Sequence, residues 1–328
     1  MVSISDPRSR DPGQLPGLAP LTRGSFVSIH EHVQLDLRRD AFIGNNYLLD
    51  PDLAIEELAR FASGGGDAIV DQTPYGLGVA RRSIQEICDL AQVKVVFGCG
   101  WYRGPYHDER VTRMSADALA DVLIRDLVEG DEDGICPGLI GEVGSHDVWI
   151  SPSEERVLRA AARAHHVTGA AIATHVPNPS TVGLDQLRIL CDEEGVAPER
   201  VIIGHGSGYT DPKYHLSVVN RGAFISFDRM GVSNSHIVGR TAATMRAIIE
   251  EGRADRILLG HDVCYKSDLV AFGGAGYGAL TRRPSESTLD SWGLSLENYL
   301  LIMTQNPWQA LIGAGPSAIS NRNGSANE

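Results

Sequence analysis

Histidines and carboxylates of metal-binding type recur in this chain at the ends of short apolar runs. Phe26-Val27-Ser28-Ile29 leads into His30-Glu31-His32, and Leu139-Ile140-Gly141 into Glu142. Ala171-Ile172-Ala173 leads towards His175, Val201-Ile202-Ile203 towards His205, and Ile257-Leu258-Leu259 into Gly260-His261-Asp262. Imidazole and carboxylate suit zinc and its divalent neighbours. Side chains along a strand alternate with a period of two, so His30 and His32 share one face while Glu31 points to the other. A lone His-x-His is common by chance. Such residues on five separate strand ends are not.

The chemistry these residues could do is hydrolysis. Four neutral imidazoles, His30, His32, His175 and His205, could hold one metal; a carboxylate between them allows two, and Glu142 could bridge with one oxygen to each ion. Paired divalent ions about 3.5–4 Å apart make hydroxide available near pH 7. Asp262 can ligate a metal, hold the hydroxide in line and take its proton, a standard task for a carboxylate within hydrogen-bond reach. The expectation is two divalent ions, zinc first, with manganese, cobalt or iron(II) as substitutes.

Positioning these residues requires parallel strands whose C-terminal ends converge. Strand and helix patterns alternate about every 30 to 40 residues, the length of a βαβ unit. The strands are predicted to end at His32, Pro74, Gly100, Gly144, Val176, Gly206, Arg229 and Asp262. Helix starts are legible between them. Asp50-Pro51 and Asp211-Pro212 each put an N-cap acceptor before a first-turn proline. Ser151-Pro152-Ser153-Glu154 is a capping box, and Gly64-Gly65-Gly66 closes the first helix. Eight such units predict an α/β fold of the (β/α)8 TIM-barrel type, with the site at the C-terminal strand ends. An open doubly wound sheet would carry a Gly-rich phosphate loop after its first strand, where this chain has His-Glu-His.

At 328 residues and 42% hydrophobic, the chain is long and apolar enough for one large barrel core. Its net charge of −13 disfavours nucleic acid and anionic membranes as partners, leaving a small-molecule substrate. The five cysteines lack a C-x-x-C and read as reduced thiols of a cytoplasmic protein. The N-terminal segment lacks the apolar stretch of a signal peptide, and no apolar run is long enough for a membrane helix. One domain is expected over residues 19–314, between mobile polar segments at 1–18 and 315–328.

The long connection after Asp262, through Phe272-Gly273-Gly274-Ala275-Gly276-Tyr277-Gly278, is expected to form a wall or lid of the pocket. His165 and His166 lie within a helix and are expected to be solvated. His261 points away from Asp262 by strand alternation, which makes it structural. His107, His146, His215 and His236 fall in loops of the active face, where any could touch substrate. Cys99 and Cys264 sit near the rim, but a metal hydroxide leaves no need for a thiol nucleophile.

Over nearly its whole length the chain resembles the phosphotriesterase-like branch of the amidohydrolase superfamily. The matching segments are Ser28-Ile29-His30-Glu31-His32, Gly138 to Gly144, Ala173-Thr174-His175, Val201 to His205 and Ile257 to Asp262. Gly273 to Tyr277 and Thr304-Gln305-Asn306-Pro307 also look like family segments. The resemblance implies a distorted (β/α)8 barrel with a binuclear divalent centre, usually zinc, and homodimers. It also implies that His30, His32 and Asp262 hold the more buried ion, that His175 and His205 hold the more exposed one, and that Glu142 bridges. Many members bridge with a carbamylated lysine. This chain has only Lys94, Lys213 and Lys266, none near the fourth strand's end, so Glu142 must serve directly. The same scarcity excludes a Schiff-base aldolase. In lactonase relatives a tyrosine and an arginine flank the substrate, a role carried over to Tyr102 and Arg229. The resulting expectation is hydrolysis of a carboxylic ester, lactone or amide. Phosphotriester cleavage on the same site, or an inactive metal-holding binding protein, are the alternatives. With 6% aromatic residues, the chain offers few walls for bulky triester groups beyond Trp101, Tyr102, Tyr265 and Tyr277.

Overall fold

A computed structural model describes residues 15–41, 44–209, 211–231 and 235–313. Apolar β-branched runs bounded by glycine and polar residues become eight strands: β1 (Val27–Glu31), β2 (Ala68–Asp71), β3 (Lys94–Cys99), β4 (Leu139–Gly144), β5 (Ala171–His175), β6 (Val201–Ile203), β7 (Phe224–Phe227) and β8 (Ile257–Leu259). All pair in parallel and in sequence order, rolling into a nearly closed (β/α)8 barrel. Parallel strands covered on both faces are apolar throughout, and β3 is buried from its second residue onwards.

The connections carry α1 (Pro51–Ser63), α2 (Arg81–Leu90), α3 (Glu109–Arg113), α4 (Ala116–Glu129), α5 (Pro152–Thr168), α6 (Gly183–Leu187), α7 (Pro212–Asn220) and α8 (Ser235–Glu250). The expected caps are in place. Asp50 accepts from Leu53 N–H at 3.1 Å, Asp211 accepts from Lys213 N–H at 3.0 Å, and Ser151 and Glu154 close a reciprocal box on α5. Each such cap is worth about 1 kcal/mol. After β8 come α9 (Glu286–Trp292), α10 (Leu296–Leu300) and α11 (Asn306–Ile312). The Asn306 amide donates to the Ala254 and Ile257 carbonyls, tying this last segment to the N-terminal end of β8.

The strands stop up to three residues short of their predicted ends, because the chain curls out of the sheet there. His205 and Asp262 take left-handed φ of 56° and 49°, a conformation that ends pairing and costs about 1–3 kcal/mol in a non-glycine residue. The N-terminal boundary also moves. Leu15 and Leu18 are buried, so part of the stretch expected to be mobile is packed. Residues 1–14 and the tail from 314 lie outside the described residues. Among the described residues no helix is long and apolar enough to cross a membrane.

Candidate metal centre

The barrel mouth gathers the predicted residues. The β1–β2 register shifts between Ser28 and Glu31, and the β4–β5 register between Ile140 and Val143. Both irregularities sit where a strand delivers a candidate donor, His30 in one case and Glu142 in the other, since a bulge re-aims the side chain it carries. Gly141 enables the second one. Its φ is +148°, and a Cβ there would lie 2.6 Å from the Ala173 carbonyl.

Glu142 stands at the centre. Its Oε2 is 3.1 Å from His175 Nδ1, 3.3 Å from His205 Nε2 and 3.6 Å from His30 Nε2, and its Oε1 is 3.7 Å from His32 Nε2. Asp262 Oδ1 lies 3.8 Å from His30 Nε2 and 3.4 Å from His32 Nε2. Two overlapping donor groups result, His30 with His32 and Asp262, and His30 with Glu142 and His205. His175 joins the second through His205, their facing nitrogens only 2.7 Å apart.

Charge in this cluster is concentrated and dry. Burial works to raise the Glu142 carboxyl, but His175, His205 and His30 outweigh it and hold it well below the usual range. Burial also works to lower His30, yet Asp228, Glu142 and Asp262 lift it to about 9. His175 falls to about 4 through burial and the neighbouring His205, whereas carboxylates raise His205 against its own burial. The facing nitrogens of His175 and His205 are close enough to share a hydrogen bond. A buried Nε2 on His30 without any hydrogen-bond partner points into the same space. Imidazole nitrogens and carboxylate oxygens that converge on one space, one of them an unpartnered buried nitrogen, are the donor set of a divalent cation, so the residues fit the metal.

Sequence reasoning missed the groups that orient the ligands. Asp228, fully buried directly after β7, sets Oδ2 3.3 Å from His30 Nδ1 and 3.1 Å from His205 Nδ1, and accepts from His205 N–H at 2.7 Å. It contacts the nitrogens facing away from Glu142, fixing both rings at once. Thr73 Oγ1 does the same for His32 Nδ1 at 2.9 Å. An acidic residue beside Arg229, at the end of an apolar run, was the available signal for Asp228.

A cavity of about 300 Å³ opens over the donors, lined on its apolar side by Leu35, Leu37, Leu77, Val176 and Pro177. Tyr102 lies against the His175 ring at 4.6 Å between centroids, and Arg229 donates to the Asp262 carbonyl at 2.9 Å. Both line the cavity, and Arg103 and Asp40 add a charged pair at its rim. A larger cavity, about 370 Å³, lies behind the Thr73–Ala80 loop among α2 and α4 and holds neither donor group.

Several expectations are corrected. The Gly-rich segment after β8 is no wall of the cavity. It packs on α1, where Ala271 N–H donates to the buried Glu57, and only Cys264 and Tyr265 of the long connection reach the site. Tyr277 is buried and donates to the His32 carbonyl, and Trp101 packs on Tyr75, so neither is available to substrate. His165 is half-buried, bonded through Nδ1 to the Ala170 carbonyl, rather than solvated. His215 is buried between the Gly206 and Asp211 carbonyls, and His107 stands away from the cavity. His146 is exposed beside Arg103; the His236 side chain lies outside the described residues.

The described lining does not favour a serine-, lysine- or cysteine-based covalent mechanism. It contains no serine or lysine, and burial together with Asp262 pushes the Cys264 thiol well above its ordinary value. What the site offers is cation-binding donors around a small cavity, which defines a metal-dependent hydrolase on a TIM barrel. The chain belongs to the phosphotriesterase family, whose model matches residues 20–311. It is 29% identical over 287 residues to a phosphotriesterase homology protein of Escherichia coli K12, covering 87% of this chain and 97% of that one. An aryldialkylphosphatase of Saccharolobus solfataricus is 30% identical, with 74% and 78% covered. Human N-acetyltaurine hydrolase is 29% identical, with 68% and 66% covered. The crystal structure of the Escherichia coli phosphotriesterase homology protein, complexed with phosphate in its active site, superposes with a TM-score of 0.81 at 26% identity, covering 88% and 99%.

Proposed function

We propose that this protein hydrolyses a small carboxylic ester, lactone or amide, using two divalent ions, zinc first, held by His30, His32, Glu142, His175, His205 and Asp262. The observation that carries the proposal is the placement of Tyr102 and Arg229 in the same small cavity as the donor groups. When bound, such ions would lower the pKa of water and polarise the bond to be cleaved. The chain's own residues do the rest. Asp262 stays ionised: His32, His205, His30 and Arg229 outweigh its burial and depress its pKa. It can therefore hold the attacking water and accept its proton. Burial and Glu142 keep the Tyr102 hydroxyl protonated, a donor for the oxygen on which charge develops. Arg229 stays charged in the same cavity, held by Asp262 and by Asp268, each at 3.6 Å.

An amide-hydrolysing relative, N-acetyltaurine hydrolase, favours carbonyl chemistry, whereas the aryldialkylphosphatase name keeps the phosphotriester alternative in view. The lining speaks for the former. Among the described lining residues, Tyr102 and Tyr265 are the aromatic side chains available to embrace the bulky groups of a triester. The test is a hydrolysis screen of the zinc- or manganese-loaded protein on lactones, esters, N-acyl amides and a paraoxon-type triester. A carbonyl substrate is expected to be turned over fastest. A triester cleaved faster than every carbonyl compound would reverse the order, and no turnover at all would leave a metal-holding binding protein.

Metal content is a separate expectation. Four imidazoles and two carboxylates exceed what one tetrahedral ion accepts, so the protein should carry close to two divalent ions per chain. Elemental analysis giving at most one equivalent, even after incubation with excess zinc, would rule out the paired centre.

A further inference from the structure

The sheet has a seam. Ladder pairing runs from β1 through β8, but among the described residues none joins β8 back to β1. His30 and His32 arrive on one side of that seam and Asp262 on the other. One backbone bond crosses directly, from Asp262 N–H to the His30 carbonyl at 3.0 Å. Gly260 lets the two backbones approach, since a Cβ there would lie 2.8 Å from the His30 carbonyl oxygen.

Three further hydrogen bonds across the seam converge on Glu31, the middle residue of His-Glu-His. Its Oε1 accepts from His261 N–H at 2.9 Å and from His261 Nδ1–H at 2.7 Å, while its Oε2 faces Val263 N–H at 3.4 Å. Ser28 supplies a further hydroxyl to Oε1. On the far side of the His261 ring, Nε2 accepts from Leu280 N–H at 3.0 Å, which fixes the proton on Nδ1. Both side chains are fully buried, so these bonds have no water to replace them. The residues that donate to Glu31, His261 and Val263, flank Asp262 in the chain, and Asp262 itself is held in the left-handed region.

We propose that Glu31 and His261 are positioning residues: they form a clamp across the open seam that takes the place of a β-ladder and sets the distance between Asp262 and the His30–His32 pair. The proposal rests on the reading of His30, His32 and Asp262 as metal ligands. The non-ligand residues of the two fragments would then be matched to each other as the ligands are matched to the ion.

The test is Glu31→Gln, which keeps the size but replaces one carboxylate oxygen by an NH2, so that the His261 and Val263 N–H groups lose one of the two oxygens that face them. Zinc affinity is measured by chelator competition, and cobalt(II) absorption reports the ligand geometry. Orienting groups behind metal ligands are worth about 10–100-fold in metal affinity. The expected result is a loss of that size for one of the two ions, with an altered cobalt spectrum, in a variant that still folds. His261→Gln, which removes the Nδ1 donor but retains an acceptor towards Leu280, should reproduce it and serves if Glu31→Gln does not fold. A folded variant of either kind with zinc affinity within about threefold of the parent and an unchanged cobalt spectrum would overturn the clamp, even if its melting temperature fell. If the parent protein itself bound no metal, the underlying assignment of the ligands would fail instead.

Discussion

Asp262→Asn is expected to lower kcat by about 10²–10⁴, the usual contribution of a positioned acid or base. The substitution is nearly isosteric, and asparagine tolerates the φ of 49° that Asp262 adopts, so the loop after β8 should keep its course. The amide oxygen can still face His30 and His32, and much of the metal should remain. What disappears is the ability to take a proton. In the parent, the carboxyl is held ionised despite burial by its bond to His32, by His205 and His30, and by Arg229 at 3.6 Å. The other described carboxylates nearby are engaged elsewhere: Asp40 pairs with Arg103 at the cavity rim. Asp228 faces the outward nitrogens of His30 and His205, and Glu142 lies among all four imidazoles. The measurement is kcat at saturating metal, with metal content determined on the same sample. Near-normal turnover in a fully loaded Asp262→Asn protein would show that the proton goes elsewhere.

Much of this arrangement was legible in the sequence because barrel geometry turns chain position into spatial position. A polar residue that ends an apolar strand must stand at the mouth, which is why His30, His32, Glu142, His175, His205 and Asp262 could be brought together without coordinates. Strand alternation likewise separated Glu31 and His261 from their ligand neighbours. It could not say that they meet each other across 230 positions of chain. Loops follow no such rule. The Gly-rich stretch around Gly276 looked like a lid, but its course is set by Glu57, a carboxylate on the buried face of α1 that draws Ala271 towards it. The cavity walls come instead from Leu35 and Leu37 beyond β1, Leu77 beyond β2, and Val176 and Pro177 beyond β5. These are ordinary apolar residues in connections, with no periodicity to mark them.

Glu142→Ala should behave differently from Asp262→Asn, losing metal and activity together. Glu142 approaches all four imidazoles within 3.7 Å, and among the described residues no other side chain is shown to do so. Its removal leaves His30, His32, His175 and His205 facing one another across a space with no bridging charge. Asp228 cannot move in to replace it, because it is fixed behind the rings by the His205 backbone at 2.7 Å. The three lysines offer no substitute either. Lys94 and Lys213 are exposed, and Lys266 sits over the Tyr47 ring at 3.9 Å. Bound ions supply several kcal/mol of transition-state stabilisation, so losing them should cost roughly 10³-fold or more in kcat/KM. Adding zinc back should not restore it, whereas excess zinc should leave Asp262→Asn fully loaded and still slow. Elemental analysis beside kcat/KM separates the two variants. A Glu142→Ala protein that kept the parent's metal content would place the bridge on some other group and remove the fourth strand from the centre of the site.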